Sequence, residues 1–183
     1  SSTDRSRQHI DDIKHKSFDQ VALEACQRWN RELSNVTVEG EVADLFYTAL
    51  YNALKKPVNL CEEPHPTRDD ASSYADFATL WDLYKTHLPL HSLLSPSRYA
   101  GMMNTLLDIF DRKKAFPGAV LVQNHGDEEY SNQAKALPHV ALAQAIAAGV
   151  TGIDYRRAVD AMAGDLFRTG NLEAMEHPES VLR

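Results

Sequence analysis

Apolar side chains return every three or four residues along most of this 183-residue chain, and that period commits it to helices. The clearest stripe is Val42, Leu45, Phe46, Ala49, Leu50, Ala53 and Leu54, which ends where Lys55-Lys56 meets Pro57. Upstream, Ser17-Phe18-Asp19-Gln20 has the form of a capping box. Phe18, Val21, Ala22, Ala25, Trp29 and Leu33 follow at helical spacing, which predicts a helix over 18–33. A third helix is predicted over 76–87 on Phe77, Trp81, Tyr84 and Leu88, with a bend at Pro89 and a further turn over 90–94. Ser95-Pro96 supplies an N-cap and a proline for the first position of a fourth helix, running to about Lys113. Its inner face is Tyr99, Met102, Met103, Leu106, Ile109 and Phe110, and Arg112, Lys113 and Lys114 suit its C-terminal dipole. An alanine-rich fifth helix is predicted over 132–148, kinked or started late at Pro138 and ended by Gly149. The sixth, over 154–168, turns Tyr155, Ala158, Val159, Met162 and Leu166 inward.

Six helices in successive pairs, without a strand pattern, predict an all-α fold: a bundle or part of a toroid of helical hairpins. Residues 1–16 read as a polar tail or peripheral segment, 17–170 as the helical domain and 171–183 as a C-terminal tail. Two long aperiodic stretches, 58–73 and 115–131, are the loops in which function is expected.

Composition narrows the function classes. With 43% apolar and 25% charged residues the chain is ordinary for a globular domain, and its length allows a real core. Lys+Arg 19 against Asp+Glu 26 gives a net charge of −7, which disfavours a general nucleic-acid surface. No apolar run reaches the roughly 18–20 residues of a membrane span. The start, Ser1-Ser2-Thr3-Asp4-Arg5, has neither Met nor a signal-peptide core, so a removed leader or a longer parent chain is expected. Cys26 and Cys61 form no disulfide framework and no zinc set; Cys26 is expected as a buried free thiol on the apolar side of its helix.

Three clusters could carry chemistry. Trp81, Asp82 and Lys85 fall within one stretch, where an indole can stack on a pyranose while the carboxylate takes its hydroxyls. The plain alternative is a buried Trp beside a solvated Asp–Lys pair. Asp127-Glu128-Glu129 crowds carboxylates, so that one can hold its proton near neutral pH and act as a general acid; otherwise it is a hydrated acidic turn. Arg68-Asp69-Asp70 offers oxygens to a hard cation but lacks the rest of a ligand set. His87 and His91 are four apart with Pro89 between them and no accompanying Glu, so packing or surface roles are expected and no metal ligands are assigned.

Phe46-Tyr47-Thr48-Ala49-Leu50-Tyr51, followed by Tyr74-x-x-Phe77-x-x-Leu80-Trp81-Asp82-x-Tyr84-Lys85-x-x-Leu88-Pro89-Leu90, resembles glycoside hydrolase family 92. The likeness continues through Leu93-Leu94-Ser95-Pro96 and Met102–Phe110, returns at Ala141–Val150, and spans about Phe18 to Arg168. It implies a calcium-dependent exo-α-mannosidase with an (α/α)6 toroid, of which six helices would be the N-terminal half. It further implies that Trp81, Asp82 and Lys85 bind the terminal mannose. Glu129, with Glu128 as the neighbouring choice, would be the general acid in the loop after Phe116-Pro117. Lys85 stands where the family has Arg, and Asp127-Glu128-Glu129-Tyr130 where it has Gly-Asn-Glu-Thr.

The second carboxylate and the calcium ligands would belong to the other half of the toroid. Inversion needs both carboxylates, roughly 6.5–9.5 Å apart. The resemblance thus implies partners: the remainder of the polypeptide or other subunits, and a mannose-containing glycan as substrate. The implied setting is secreted, periplasmic or in the secretory pathway. The alternative is a non-catalytic structural subunit of a larger assembly derived from the same fold. Either way, half a toroid should bare apolar flanks.

Overall fold

The computed structural model describes residues 2–60, 74–120 and 136–169. Its helices, in chain order, are α1 (Ser2–Ile13), α2 (Phe18–Leu33), α3 (Ala43–Leu54), α4 (Leu80–Leu83), α5 (His87–Leu94), α6 (Pro96–Lys113), α7 (Leu137–Ala147) and α8 (Tyr155–Thr169). The strands are two residues each: β1 (Val58–Asn59), β2 (Tyr74–Ala75), β3 (Ala78–Thr79) and β4 (Ala119–Val120). They make two antiparallel pairs, with Val58 opposite Ala75 and Ala78 opposite Val120. The fold is all-α.

The core is built around α6. Tyr99, Met102, Met103, Leu106, Leu107 and Ile109 are all buried, so almost every side of this helix faces a neighbour. Each such side chain contributes about 1.5–3 kcal/mol by leaving water. Helices α5, α7 and α8 pack around it. Tyr99 donates from its hydroxyl to the Ala141 carbonyl at 2.9 Å, joining α6 to α7. Burial pushes that phenol up to about 12. Arg157 of α8 grips Asp108 and Asp111 of α6, its Nη2 2.6 Å from each. Gly101 admits the Tyr74 ring against α6, since a Cβ there would meet Tyr74 Cε2 at 2.6 Å.

The polar first segment forms α1 over Ser2–Ile13. Other expectations are corrected. No helix spans 76–87. Asp76 adopts a left-handed φ of 61°, Ala78–Thr79 pairs with Ala119–Val120, and only one turn, Leu80–Leu83, is helical before α5 begins at His87. Pro89 sits in the first turn of α5, where a missing N–H costs no helical bond. Helix α2 has its capping box, with Ser17 Oγ accepting from Gln20 N at 3.2 Å and Gln20 Oε1 from Ser17 N at 2.8 Å. Yet α2 buries none of its residues, and Cys26 is therefore exposed rather than buried. Cys61, and the tail over 171–183, lie outside the described residues.

Candidate active site

Phe77 and Leu80 are buried at 0% and 1% exposure and peg the segment into the core. The Leu80 amide donates to the Gly118 carbonyl at 3.1 Å, extending the β3–β4 pairing by one bond. With Leu80 turned inward, the next residues face out: Trp81 is 64% exposed, and Asp82 and Lys85 are exposed as well. The Lys85 ammonium lies 5.4 Å from the centre of the Tyr84 ring, an attraction that holds its long stem against an aromatic face. A buried Trp81, the plain alternative, is thus not found. An open indole beside a carboxylate and an ammonium can stack on the apolar face of a sugar and bind its hydroxyls.

The β3–β4 pair also sets this turn against another part of the chain. Thr79 lies opposite Ala119, and β4 follows directly on Phe116-Pro117. Phe116 is buried and meets the His139 ring edge-on at 5.1 Å. Its amide donates to Asp165 Oδ1 at 3.4 Å. Asp165 Oδ2 is 3.4 Å from His139 Nε2, close but not aligned as a hydrogen bond. This pair, a half-buried His and a buried Asp, has no local sequence signal, because its members stand on two different helices. Glu128 and Glu129 lie outside the described residues, as do Asp127 and the Arg68-Asp69-Asp70 stretch.

The second polar cluster is His87 and His91, for which packing or surface roles are expected. His87 Nε2 and His91 Nε2 lie 2.5 and 3.2 Å from the Lys56 carbonyl oxygen and 3.1 Å from each other. The Lys56 ammonium pairs with Asp76 at 2.6 Å, so the end of α3 is tied to both α5 and the turn before β3. Burial, then the neighbouring His87, lowers the His91 imidazole to about 4. The role is structural, with neutral rings joining two helices.

Among the described residues no group of three or more His, Cys, Asp or Glu side chains could hold a metal ion. Asp108 and Asp111, which share one face, are engaged by Arg157. The described donor set therefore does not fit calcium. No described helix is long and apolar enough to cross a membrane.

The sequence model described as "Glycosyl hydrolase family 92 catalytic domain" matches residues 6–179. The chain belongs to glycosyl hydrolase family 92. No curated protein matches it. The Trp81–Lys85 turn lies within the span matched to the family 92 domain.

Proposed function

We propose that this chain forms the mannose-recognising part of an α-mannosidase catalytic domain. Trp81 stacks on the terminal mannose, Asp82 orients its hydroxyls, and Lys85 adds a point charge in place of a planar fork. Glu129, or its neighbour Glu128, protonates the leaving glycosidic oxygen. A second carboxylate, supplied by the remaining half of the toroid, activates water on the opposite face. The carrying observation is the exposure of Trp81 beside Asp82 and Lys85, on a turn that the Leu80–Gly118 bond anchors next to Phe116-Pro117.

The unburied N-terminal helices support the need for that other half. Eight of the twelve large apolar side chains exposed among the described residues lie between Ile10 and Tyr51. The rest of the helical domain is the covering that the reading requires.

Hydrolysis of an aryl α-mannoside by the longest native form of the protein, with calcium present, tests the reading. Glu129→Gln should lower kcat by about 10²–10⁴-fold, the usual contribution of a general acid. Asp82→Asn should act mainly on KM. If Glu129→Gln is silent and Glu128→Gln is not, the acid is reassigned by one residue. If the folded wild type cleaves no α-mannoside, the non-catalytic subunit is the correct reading.

A further inference from the structure

A cleft of about 340 Å³ opens where α2, the end of α3, β1 and the start of α6 meet. Its size falls at the lower end of the range for small-ligand sites. Trp29 forms part of its wall, half-buried and held by an edge-on contact with Tyr51, ring centres 4.4 Å apart. Three cations line it: Arg28, Lys55 and Arg98. Among the described residues the only carboxylate in the lining is Glu32, whose Oε2 stands 3.4 Å from Arg98 Nη2. That single contact leaves most of the guanidinium's five donors for another acceptor. Lys55 carries its ammonium 5.0 Å from the Tyr51 ring centre, and Arg28 makes no ion pair among the described residues.

The described lining thus carries a local charge of +2, three cations less one carboxylate, in a chain whose net charge is −7. Like charges gathered around one concavity repel, and a bound anion relieves the repulsion. Arginine forks match the planar or tetrahedral oxygens of carboxylate, sulfate and phosphate. An aromatic wall beside them suits the apolar face of a sugar ring. Membership of a glycosidase family makes a saccharide the class of ligand at hand.

We infer that this cleft binds a saccharide bearing an oxyanion, its ring against Trp29 and its charged group between Arg28, Lys55 and Arg98. The inference rests on the family assignment but not on the mannosidase reading, because it involves different elements and no bond cleavage. The ligand would be an acidic or sulfated sugar, and Glu32 would be displaced from Arg98 or share it.

Calorimetry on the full chain at low salt tests this with glucose 6-sulfate, glucuronic acid, methyl α-glucopyranoside and inorganic sulfate. The charged sugars should bind at least tenfold more tightly than the neutral glucoside, and less tightly as salt rises. Arg28→Gln, at an exposed position, should weaken them several-fold with an unchanged circular-dichroism spectrum. Arg98→Gln should do so more strongly, and Asp82→Asn should leave the binding as it was. Equal affinity for the neutral glucoside overturns the inference, as does inorganic sulfate matching the sugar sulfate. Loss of binding in Asp82→Asn also overturns it, by moving the sugar to the Trp81–Lys85 turn. If hydrolysis of α-mannosides fails while this binding persists, the mannosidase reading falls alone.

Discussion

His91 is fully buried, and its Nδ1 has no hydrogen-bond partner among the described residues. An imidazole placed in this way resists protonation, because the charge would have to leave water and face the neighbouring His87 ring. In the unfolded chain the same ring takes a proton near 6.5, and in the folded chain only near about 4. Between those values the unfolded state binds more protons, so stability rises with pH across the window. The stabilisation is complete above the unfolded value and is lost as pH falls through the folded one. Its ceiling is about 3 kcal/mol for His91. Burial also lowers His87, which adds in the same direction. Denaturant unfolding at pH 7.5 and pH 4.5 measures the slope, and His91→Leu, which keeps the volume apolar, should flatten most of it. A slope unchanged in His91→Leu would show that carboxylates elsewhere are responsible.

At the level of elements, α2 and α6 mark the two extremes of what local sequence dictates. Both were legible: α6 from Ser95-Pro96 and its inward stripe, α2 from its capping box and periodic apolar residues. Periodicity fixes which side of a helix is apolar but not whether anything covers it, so Cys26, expected as buried, is exposed. The stretch 76–87 failed differently. Phe77, Trp81, Tyr84 and Leu88 do recur at helical spacing, but the partner of Ala78–Thr79 lies about forty residues later at Ala119–Val120. Long-range pairing of that kind overrides local propensity and leaves no trace in a short window. Trp81, Asp82 and Lys85 stand in one short stretch, so sequence alone groups them; the His139–Asp165 pair, split between two helices, leaves no such signal. For α2 the consequence is measurable. Ser17→Ala removes one side of the capping box, a loss of about 1 kcal/mol to the helix. Because α2 buries no residue, the loss should appear as faster amide exchange over its first turn, with the main thermal transition nearly unmoved. A substantially lower Tm would mean that α2 melts with the core.

For the molecule as a whole, the distribution of apolar surface matters more than its amount. Helices α5 to α8 close around one another, whereas among the described side chains α1 to α3 contribute only Leu50 and Leu54 to the buried set and leave Phe18 85% and Leu45 72% exposed. A chain with net charge −7 stays apart from its copies by repulsion, yet a bare apolar region of this kind favours association. Replacing Phe18 and Leu45 together by Ser tests whether those side chains belong to an interface or to the chain's own core. Each touches little, so the double variant should change stability by no more than about 1 kcal/mol, the scale of two surface substitutions. It should also bind less of a hydrophobic dye such as ANS, and sediment as a smaller species wherever the wild type self-associates. A loss of several kcal/mol would instead place both side chains in a packed interior, and the N-terminal helices would then need no covering from the rest of a toroid. Unchanged stability with reduced dye binding is the outcome that an open half-ring requires.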